Sequence, residues 1–327
     1  METTRFIQRG TLGQSTSDAI SKDEVTIVLP VLNEEGAIGP VLKELFAEGY
    51  KNLMLVDGYS TDSTLSNAEI FGVEIIQQHG RGKTGAIQTA LDHVKTPYLL
   101  VMDGDFTYSA SDIQRMLPHA RNYDQIIGAR KNEENIVRSH RFGNNLITKI
   151  FNLLMGTKLS DVLSGMYLLR TEAAKSLRLD SADFTVEVEI ASQMAQHGTI
   201  TEVPIGYRSR VGKQKLSTWK DGPKILGAIF RLARQYNPTF LFSLAGALFA
   251  LPAIGILTWV LIGQAITGVF RMEWGLAAAV LLIISTQALC VSAISLVLKR
   301  SESRLGNRIS KHAIQNEPAK KEFSLTQ

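Results

Sequence analysis

Short apolar runs recur along the first two thirds of the chain, separated by polar turns and amphipathic stretches. The runs predict strands at 25–29, 53–56, 73–77, 98–102, 125–129, 166–169 and 201–207. The intervening patterns predict helices at 37–48, 86–94, 145–155 and 184–197. They predict two more helices, one that begins after Ser60 or Thr61 as N-cap and one that begins at a capping box of Ser109 and Asp112. Short connections between alternating strands and helices are typical of an α/β fold with a mostly parallel sheet.

Two long runs in the last third of the chain, 239–268 and 274–298, contain no charged side chain. About 20 helical residues cross the hydrocarbon core of a bilayer, so each run is long enough to span it. Because the polar connection between them is short, they predict a two-helix transmembrane hairpin, at about 239–265 and 275–298. A buried soluble hairpin is the alternative, and two such charge-free runs argue against it.

Basic residues flank the outer ends of this hairpin, and the balance of charge in these flanks exceeds the net charge of +4 of the whole chain. Residues 199–236 carry eight Lys or Arg against two acids, and residues 299–327 carry seven against three. The positive-inside bias then predicts an integral membrane protein with two transmembrane helices, whose main domain and both termini are cytoplasmic. The same pattern favours a lipid bilayer as partner, and the lack of interleaved aromatic and basic residues argues against nucleic acid.

The segment before the hairpin places apolar side chains on one face and basic ones elsewhere, which predicts an amphipathic helix lying in the membrane interface. A surface helix packed on the domain is the alternative. The predicted organisation is a mobile arm at 1–23, an α/β domain at 24–218, the interface helix at 219–236, the hairpin at 239–298 and a basic tail at 299–327. Small residues in the hairpin leave homo-oligomerisation open.

Two acids, Asp103 and Asp105, follow the apolar run 98–102. Side chains alternate along an extended chain, so both acids are expected to point the same way. Paired carboxylates suit a hard divalent cation such as Mg²⁺ or Mn²⁺. Taken alone, the pair also fits a loop with two solvated acids.

Several polar loops follow the predicted strands and are expected to converge, because ligands bind at the carboxyl ends of the strands in open α/β sheets. These loops lie at 30–36, 57–62, 80–85, 103–107 and 130. They combine acids, which hold a metal and hydroxyl groups, with bases and glycines, which hold phosphate. This is the chemistry of a nucleotide diphosphate substrate. No G-x-G-x-x-G follows the first strand, which argues against a dinucleotide oxidoreductase.

Taken in order, these motifs resemble a family 2 glycosyltransferase with the GT-A fold. The matching segments are Pro30-Val-Leu-Asn-Glu34, Val56-Asp-Gly-Tyr-Ser-Thr-Asp62, Arg81-Gly-Lys-Thr-Gly85 and Asp103-Gly-Asp105. Asp161-Val-Leu-Ser-Gly165 and Arg210-Val-Gly-Lys-Gln-Lys-Leu216 are similar to the polyprenyl-phosphate branch, that of dolichol-phosphate mannose and glucose synthases. The resemblance covers about residues 24–220.

The resemblance implies a role for each matching residue. The implied contacts with the nucleotide sugar come from Pro30, Asn33, Glu34, Asp57, Lys83 and Gly104. The implied metal ligands are Asp103, Asp105 and Thr107. The acceptor phosphate would contact Arg130, Arg141, Arg210 and Lys215. The implied catalytic residues are Asp103, Asp105, Asp161 and Arg210.

The resemblance also implies the reaction, an inverting transfer of one hexose from GDP-mannose or UDP-glucose to dolichyl or polyprenyl phosphate. Gly58 and Tyr59 depart from the second motif of the family and leave the nucleotide base open. The alternatives are a glycosyltransferase with another lipid acceptor, a glycolipid or a lipid-linked oligosaccharide, and a non-catalytic membrane scaffold. A hydroxyl acceptor needs a base, and Glu187 and Glu189 fit either that role or a solvated helix face.

Overall fold

A computed structural model describes residues 19–131, 138–179, 186–211 and 237–315, together with residues 227, 230, 231 and 234. The chain forms two compact units, residues 1–232 and residues 233–327. Most of the predicted N-terminal arm, most of the predicted interface helix, Lys215 and the end of the basic tail lie outside the described residues. The predicted boundaries between these segments stay predictions.

The first unit contains a seven-stranded sheet. Its strands are β1 Val25–Val31, β2 Leu53–Asp57, β3 Glu74–Gln77, β4 Tyr98–Val101, β5 Gln125–Arg130, β6 Tyr167–Arg170 and β7 Ile200–Ile205. Their order across the sheet is β3-β2-β1-β4-β6-β5-β7. Strand β6 runs antiparallel to its neighbours β4 and β5, and the other pairs are parallel. The predicted mostly parallel α/β sheet is confirmed.

Seven α-helices of this unit are described. They are α1 Ile38–Ala47, α2 Thr64–Glu69, α3 Gly82–His93, α4 Ile113–Met116, α5 Arg138–Met155, α6 Thr171–Lys175 and α7 Val186–His197. Three predictions about helix starts are wrong. Helix α5 begins at Arg138, seven residues before the predicted start at 145. Helix α3 begins four residues before the predicted start, because the glycine-rich segment forms its first turn. Helix α2 begins after Ser63, and Asp62 Oδ1 rather than Ser60 or Thr61 accepts a hydrogen bond from its first backbone amide.

The predicted capping box of Ser109 and Asp112 is also wrong. Ser109 precedes a short 3₁₀ turn and makes no capping hydrogen bond with its side chain. The Asp112 carboxylate instead accepts a hydrogen bond of 2.9 Å from the backbone amide of Gly206, just after β7. A long-range contact therefore uses the acid that the local pattern assigned to a helix start.

Alternate side chains of the central strand enter two different cores. In β1, Ile27 and Leu29 join a cluster with α1, whereas Val28 joins a cluster with α3. Side chains alternate across a strand, so helices on both sides bury both faces of the sheet. This double burial explains the nearly continuous apolar runs in the sequence.

The second unit contains two long helices, α8 Pro238–Thr267 and α9 Met272–Gln315. Both are long and apolar enough to cross a membrane, since each contains an 18-residue apolar window, with a mean hydropathy of 2.2 in Pro238–Thr267 and 2.3 in Met272–Leu298. Only 17 % and 11 % of the residues in the two apolar windows are buried. A soluble core helix would be mostly buried, so the exposure disfavours the soluble-hairpin alternative.

The two helices approach closely where small residues face each other. A Cβ at Gly246 would lie 2.7 Å from Leu289 Cγ, and Ser285 Oγ donates a hydrogen bond of 2.8 Å to the Gly246 carbonyl. The hydroxyls of Ser243 and Ser292 are 2.7 Å apart. Such contacts hold helices together in lipid, where no hydrophobic force acts between them.

Candidate active site

Three loops that follow parallel strands each hold a non-glycine residue in the left-handed backbone region. Asn33, Tyr59 and Phe106 follow β1, β2 and β4, with φ values of 52°, 68° and 66°. Residues other than glycine adopt this region rarely, and backbone strain concentrates at functional sites. The edge of the sheet where these strands end is therefore the candidate site, as the sequence predicts.

The loops after β1 and β2 are joined by hydrogen bonds. Asn33 donates its backbone amide to Ser60 Oγ at 2.9 Å, and Asn33 Oδ1 accepts from the Thr61 amide at 2.8 Å. Asp57 is fully buried and accepts from the amides of Tyr59 and Ser60. Asp57 therefore shapes its own loop, and its predicted contact with a nucleoside stays a prediction.

Each acid of the Asp103–Asp105 pair contacts a cationic side chain. Lys83 Nζ lies 2.5 Å from Asp103 Oδ1, and Arg210 Nη1 lies 3.1 Å from Asp105 Oδ2. Burial raises the pKa of the Asp105 carboxyl, and the nearby negative charge of Asp103 raises it further. Because Lys83 Nζ and Arg210 Nη1 both lie beside these carboxylates, the acid pair favours positive charge next to it.

Neighbouring groups fix the Asp105 carboxylate. Thr107 donates to Asp105 Oδ1 from its backbone amide at 3.1 Å and from its hydroxyl at 2.5 Å. Gly104, between the two acids, lies against β1, since a Cβ there would come within 2.7 Å of Val31 Cγ1. The predicted ligand Thr107 thus orients Asp105 in this structure, and its contact with a metal stays a prediction.

Gly165 supports the other acid. A Cβ on Gly165 would overlap the carboxylate of Asp103. The Gly165 amide donates a hydrogen bond of 2.7 Å to the hydroxyl of Tyr108, whose pKa is raised by burial. The position of Asp103 therefore depends on the absence of a side chain 62 residues further along the sequence.

Arg210 connects two loops of the site. Its Nη2 lies 2.5 Å from Oε1 of Glu34, which is 8 % exposed, while its Nη1 reaches Asp105. The segment that carries Arg210 runs beside the acid loop, because the Arg208 amide donates to the Thr107 carbonyl at 2.8 Å. The structure therefore brings Glu34, Asp105 and Arg210 together.

Arg130 and Asp161 form a buried, bidentate ion pair. Arg130 Nε lies 2.6 Å from Asp161 Oδ2 and its Nη2 lies 2.7 Å from Oδ1, with each side chain 10 % exposed. Burial lowers the pKa of Arg130, but the Asp161 carboxylate, together with the hydroxyls of Tyr108 and Tyr207, raises it above its ordinary value. The Arg130 guanidinium also lies 5.2 Å from the ring centroid of Tyr207.

Removing one charge of this pair is expected to destabilise the fold. Asp161→Asn leaves the Arg130 guanidinium buried without its counterion, at a cost of about 3 kcal/mol in the free energy of unfolding. Denaturant unfolding of the protein in detergent measures this loss. The double variant Arg130→Met/Asp161→Leu removes both charges and should recover most of it. A double variant less stable than the single one would contradict this account.

The structure gives Glu187, whose role the sequence left open, a contact with Lys83. Its Oε1 lies 2.6 Å from Lys83 Nζ, so Lys83 lies between Glu187 and Asp103. Glu187 and Glu189 are 8 % and 5 % exposed, and the interpretation as a solvated helix face is therefore wrong. Burial raises the pKa of Glu187 and the like charge of Asp103 raises it further, while the Lys83 ammonium offsets part of this rise. The apolar residues on both sides of each Glu were the available sequence signal.

The contacts above do not include three predicted site residues, Pro30, Arg141 and Lys215. Pro30 lies within β1, opposite Val56 of β2. Arg141 lies on α5 with an exposed side chain, and its contact with an acceptor phosphate stays a prediction. The same holds for Lys215, which lies outside the described residues.

The acid pair fits a divalent cation whose further ligands come from substrate phosphate. In the part of the chain that the structure describes, no group of three or more His, Cys, Asp or Glu side chains is placed to hold a metal. Mg²⁺ in proteins is usually held by one or two carboxylates together with substrate phosphates. Asp103 and Asp105 would supply two hard oxygen ligands at a point where the Lys83 and Arg210 nitrogen atoms already lie beside the carboxylates.

The sequence of this chain is similar to those of known glycosyltransferases. Residues 26–178 match the family described as Glycosyl transferase family 2. The chain is 36 % identical over 242 residues to the glycosyltransferase AglJ of Haloferax volcanii, covering 72 % of this chain and 79 % of the relative. It is 30 % identical over 219 residues to a dolichyl-phosphate hexose transferase of the same organism, covering 65 % of this chain and 95 % of the relative.

A solved structure confirms the GT-A type of fold. Glucosyl-3-phosphoglycerate synthase from Mycobacterium tuberculosis, in complex with Mn²⁺, UDP-glucose and phosphoglyceric acid, superimposes with a TM-score of 0.54 at 17 % identity. The match covers 64 % of this chain and 79 % of that one. The sequence family and the sequence relatives identify a glycosyltransferase rather than a non-catalytic scaffold. The chain belongs to glycosyl transferase family 2.

Proposed function

We propose that this glycosyltransferase moves one hexose from GDP-mannose or UDP-glucose to dolichyl or another polyprenyl phosphate. The observation that carries the proposal is the acid pair Asp103–Asp105, which lies beside the cationic side chains of Lys83 and Arg210. The names of two relatives, a dolichyl-phosphate hexose transferase and a dodecaprenyl-phosphate galacturonate synthase, support a polyprenyl-phosphate acceptor.

The donor is proposed to lie over the loops after β1, β2 and β4. Glu34 and the loop shaped by Asp57 would contact the nucleoside, with Asn33 between them. Asp103 and Asp105 would hold Mg²⁺ or Mn²⁺, which when bound neutralises charge on the diphosphate. Lys83, whose ammonium already lies at the acid pair, would contact the diphosphate directly.

The acceptor needs orientation more than activation. A lipid monophosphate is already anionic near neutral pH, so its oxygen attacks without a strong general base. Arg210 and Arg130, with Arg141 and Lys215, would hold this phosphate in line with the bond that breaks. One in-line displacement inverts the sugar, from an α-linked nucleotide sugar to a β-linked lipid product.

The two apolar helices suit an acceptor whose headgroup lies at a membrane surface. We propose that α8 and α9 span the bilayer as a hairpin and that the catalytic domain and both termini are cytoplasmic. The basic residues on either side of the apolar spans support this orientation. Residues 219–236 would lie in the interface as an amphipathic helix.

A lipid-extraction assay tests the proposed reaction. Membranes that contain the protein receive labelled UDP-glucose or GDP-mannose, dolichyl phosphate and Mg²⁺ or Mn²⁺. Label is expected to enter the organic phase with one donor only, and EDTA is expected to abolish its entry because the diphosphate loses its counterion. Membranes without the protein are the control. Folded protein that transfers label from neither donor would contradict the proposal.

A further inference from the structure

Lys83 lies between two carboxylates that come from distant parts of the chain. Its ammonium is 2.5 Å from Asp103 Oδ1, after β4, and 2.6 Å from Glu187 Oε1, in the first turn of α7. The exposed fractions of the side chains are 14 % for Lys83, 33 % for Asp103 and 9 % for Glu187. The ammonium thus joins the more exposed proposed metal ligand to a buried acid.

This arrangement creates a competition at Asp103. A cation at the acid pair and the Lys83 ammonium both require the Asp103 carboxylate. A buried ammonium without a counterion is strongly unfavourable, so Lys83 can release Asp103 only while a second acid neutralises it. Glu187 is that acid, since it already contacts the same nitrogen.

We infer that Glu187 is a positioning residue that acts through Lys83. By holding the ammonium, it makes Asp103 available to the divalent cation and keeps Lys83 directed at the leaving diphosphate. The inference rests on the proposed function for the presence of cation and diphosphate. Glu187 itself touches neither substrate in this scheme. It differs from a general base, which would have to face the acceptor and take its proton.

The affinity for Mn²⁺ alone tests the inference without sugar or lipid. Free Mn²⁺ is measured by electron paramagnetic resonance with the full chain in detergent, for the wild type, Glu187→Gln, Lys83→Met and the double variant. Glu187→Gln is expected to weaken binding about tenfold, because Lys83 then occupies Asp103. Lys83→Met is expected to bind more tightly than the wild type, because the competing cation is gone.

The double variant gives the decisive comparison. If Glu187 acts through Lys83, Glu187→Gln should change Mn²⁺ affinity less than about twofold once Lys83 is Met, a coupling that a mutant cycle isolates. The control Glu172→Gln removes an exposed glutamate from the first turn of α6 and should leave Mn²⁺ affinity unchanged. Should Glu187→Gln fail to fold, Glu187→Asp, which shortens the reach to Lys83, enters the same cycle.

Three results would overturn the inference. Equal weakening in both backgrounds would mean that Glu187 acts only by its own charge. Lost transfer with unchanged Mn²⁺ affinity would identify it as a base. Absence of Mn²⁺ binding by both the wild type and Lys83→Met would remove the competition altogether. Because the wild-type lipid assay is independent of this cycle, failure of the inference is distinguishable from failure of the proposed reaction.

Discussion

Replacing Asp105 by Asn is expected to lower the turnover of sugar transfer about a thousandfold, the scale of losing a central electrostatic stabiliser. The amide keeps the shape of the side chain and still accepts from Thr107. It lacks the negative charge that would hold the cation on the leaving diphosphate, and it leaves Arg210 paired with Glu34 alone. Initial rates of label transfer into lipid, at saturating Mg²⁺, measure the effect.

The matched control is Asp92→Asn. Asp92 pairs with His79, and its side chain is 66 % exposed. Its replacement removes the same charge from an exposed site, so turnover should stay within about twofold, as surface ion pairs contribute little. Both variants are checked for the wild-type unfolding temperature. A folded Asp105→Asn protein that transfers sugar at the wild-type rate would refute the role of the acid pair.

The second large effect is expected from a single methyl group at Gly165. Gly165→Ala places a Cβ within the Asp103 carboxylate, while the hydrogen bond to Tyr108 holds the Gly165 backbone in place. The carboxylate must therefore move. A displacement of about 1 Å in a catalytic group lowers turnover about a hundredfold. Steady-state rates and Mn²⁺ affinity should both fall.

Gly39→Ala separates this steric effect from the general effect of replacing a glycine. Gly39 lies in α1, and a Cβ there has no atom within 4 Å among the described residues. The variant should keep full turnover and raise the free energy of unfolding by about 0.5 kcal/mol, because alanine favours a helix over glycine. Wild-type turnover in folded Gly165→Ala would show that Asp103 tolerates displacement.

The strands were predictable because their sequence signal is local. Each strand lies within a few residues of a predicted apolar run, as expected for a sheet that is buried on both faces. The direction of β6 was not predictable in this way. An apolar run such as Tyr167–Arg170 has the same pattern in either direction, and its antiparallel pairing with β4 and β5 is decided by the chain on both sides of it.

The site was predictable as a set of residues but not as a set of contacts. Glu34, Asp105 and Arg210, each of which the sequence motifs implied to be a site residue, lie together in the structure. The pairing of Lys83 with Glu187 joins positions 104 residues apart, and neither local pattern contains the other. The pairing depends on the burial of α7 from Val186 to Met194, because this part of the helix has no solvated face on which Glu187 could lie.

The strand order also affects how the site assembles during synthesis. Within the described sheet, the neighbours of β5 are β6 and β7, and both follow it in the chain. The loops after β1, β2 and β4 therefore belong to strands that can pair as soon as residue 101 has left the ribosome. Arg130, at the end of β5, has no strand partner before residue 167. The strands that carry the Asp103–Asp105 loop can thus pair before the chain that forms the Arg130–Asp161 pair has been made.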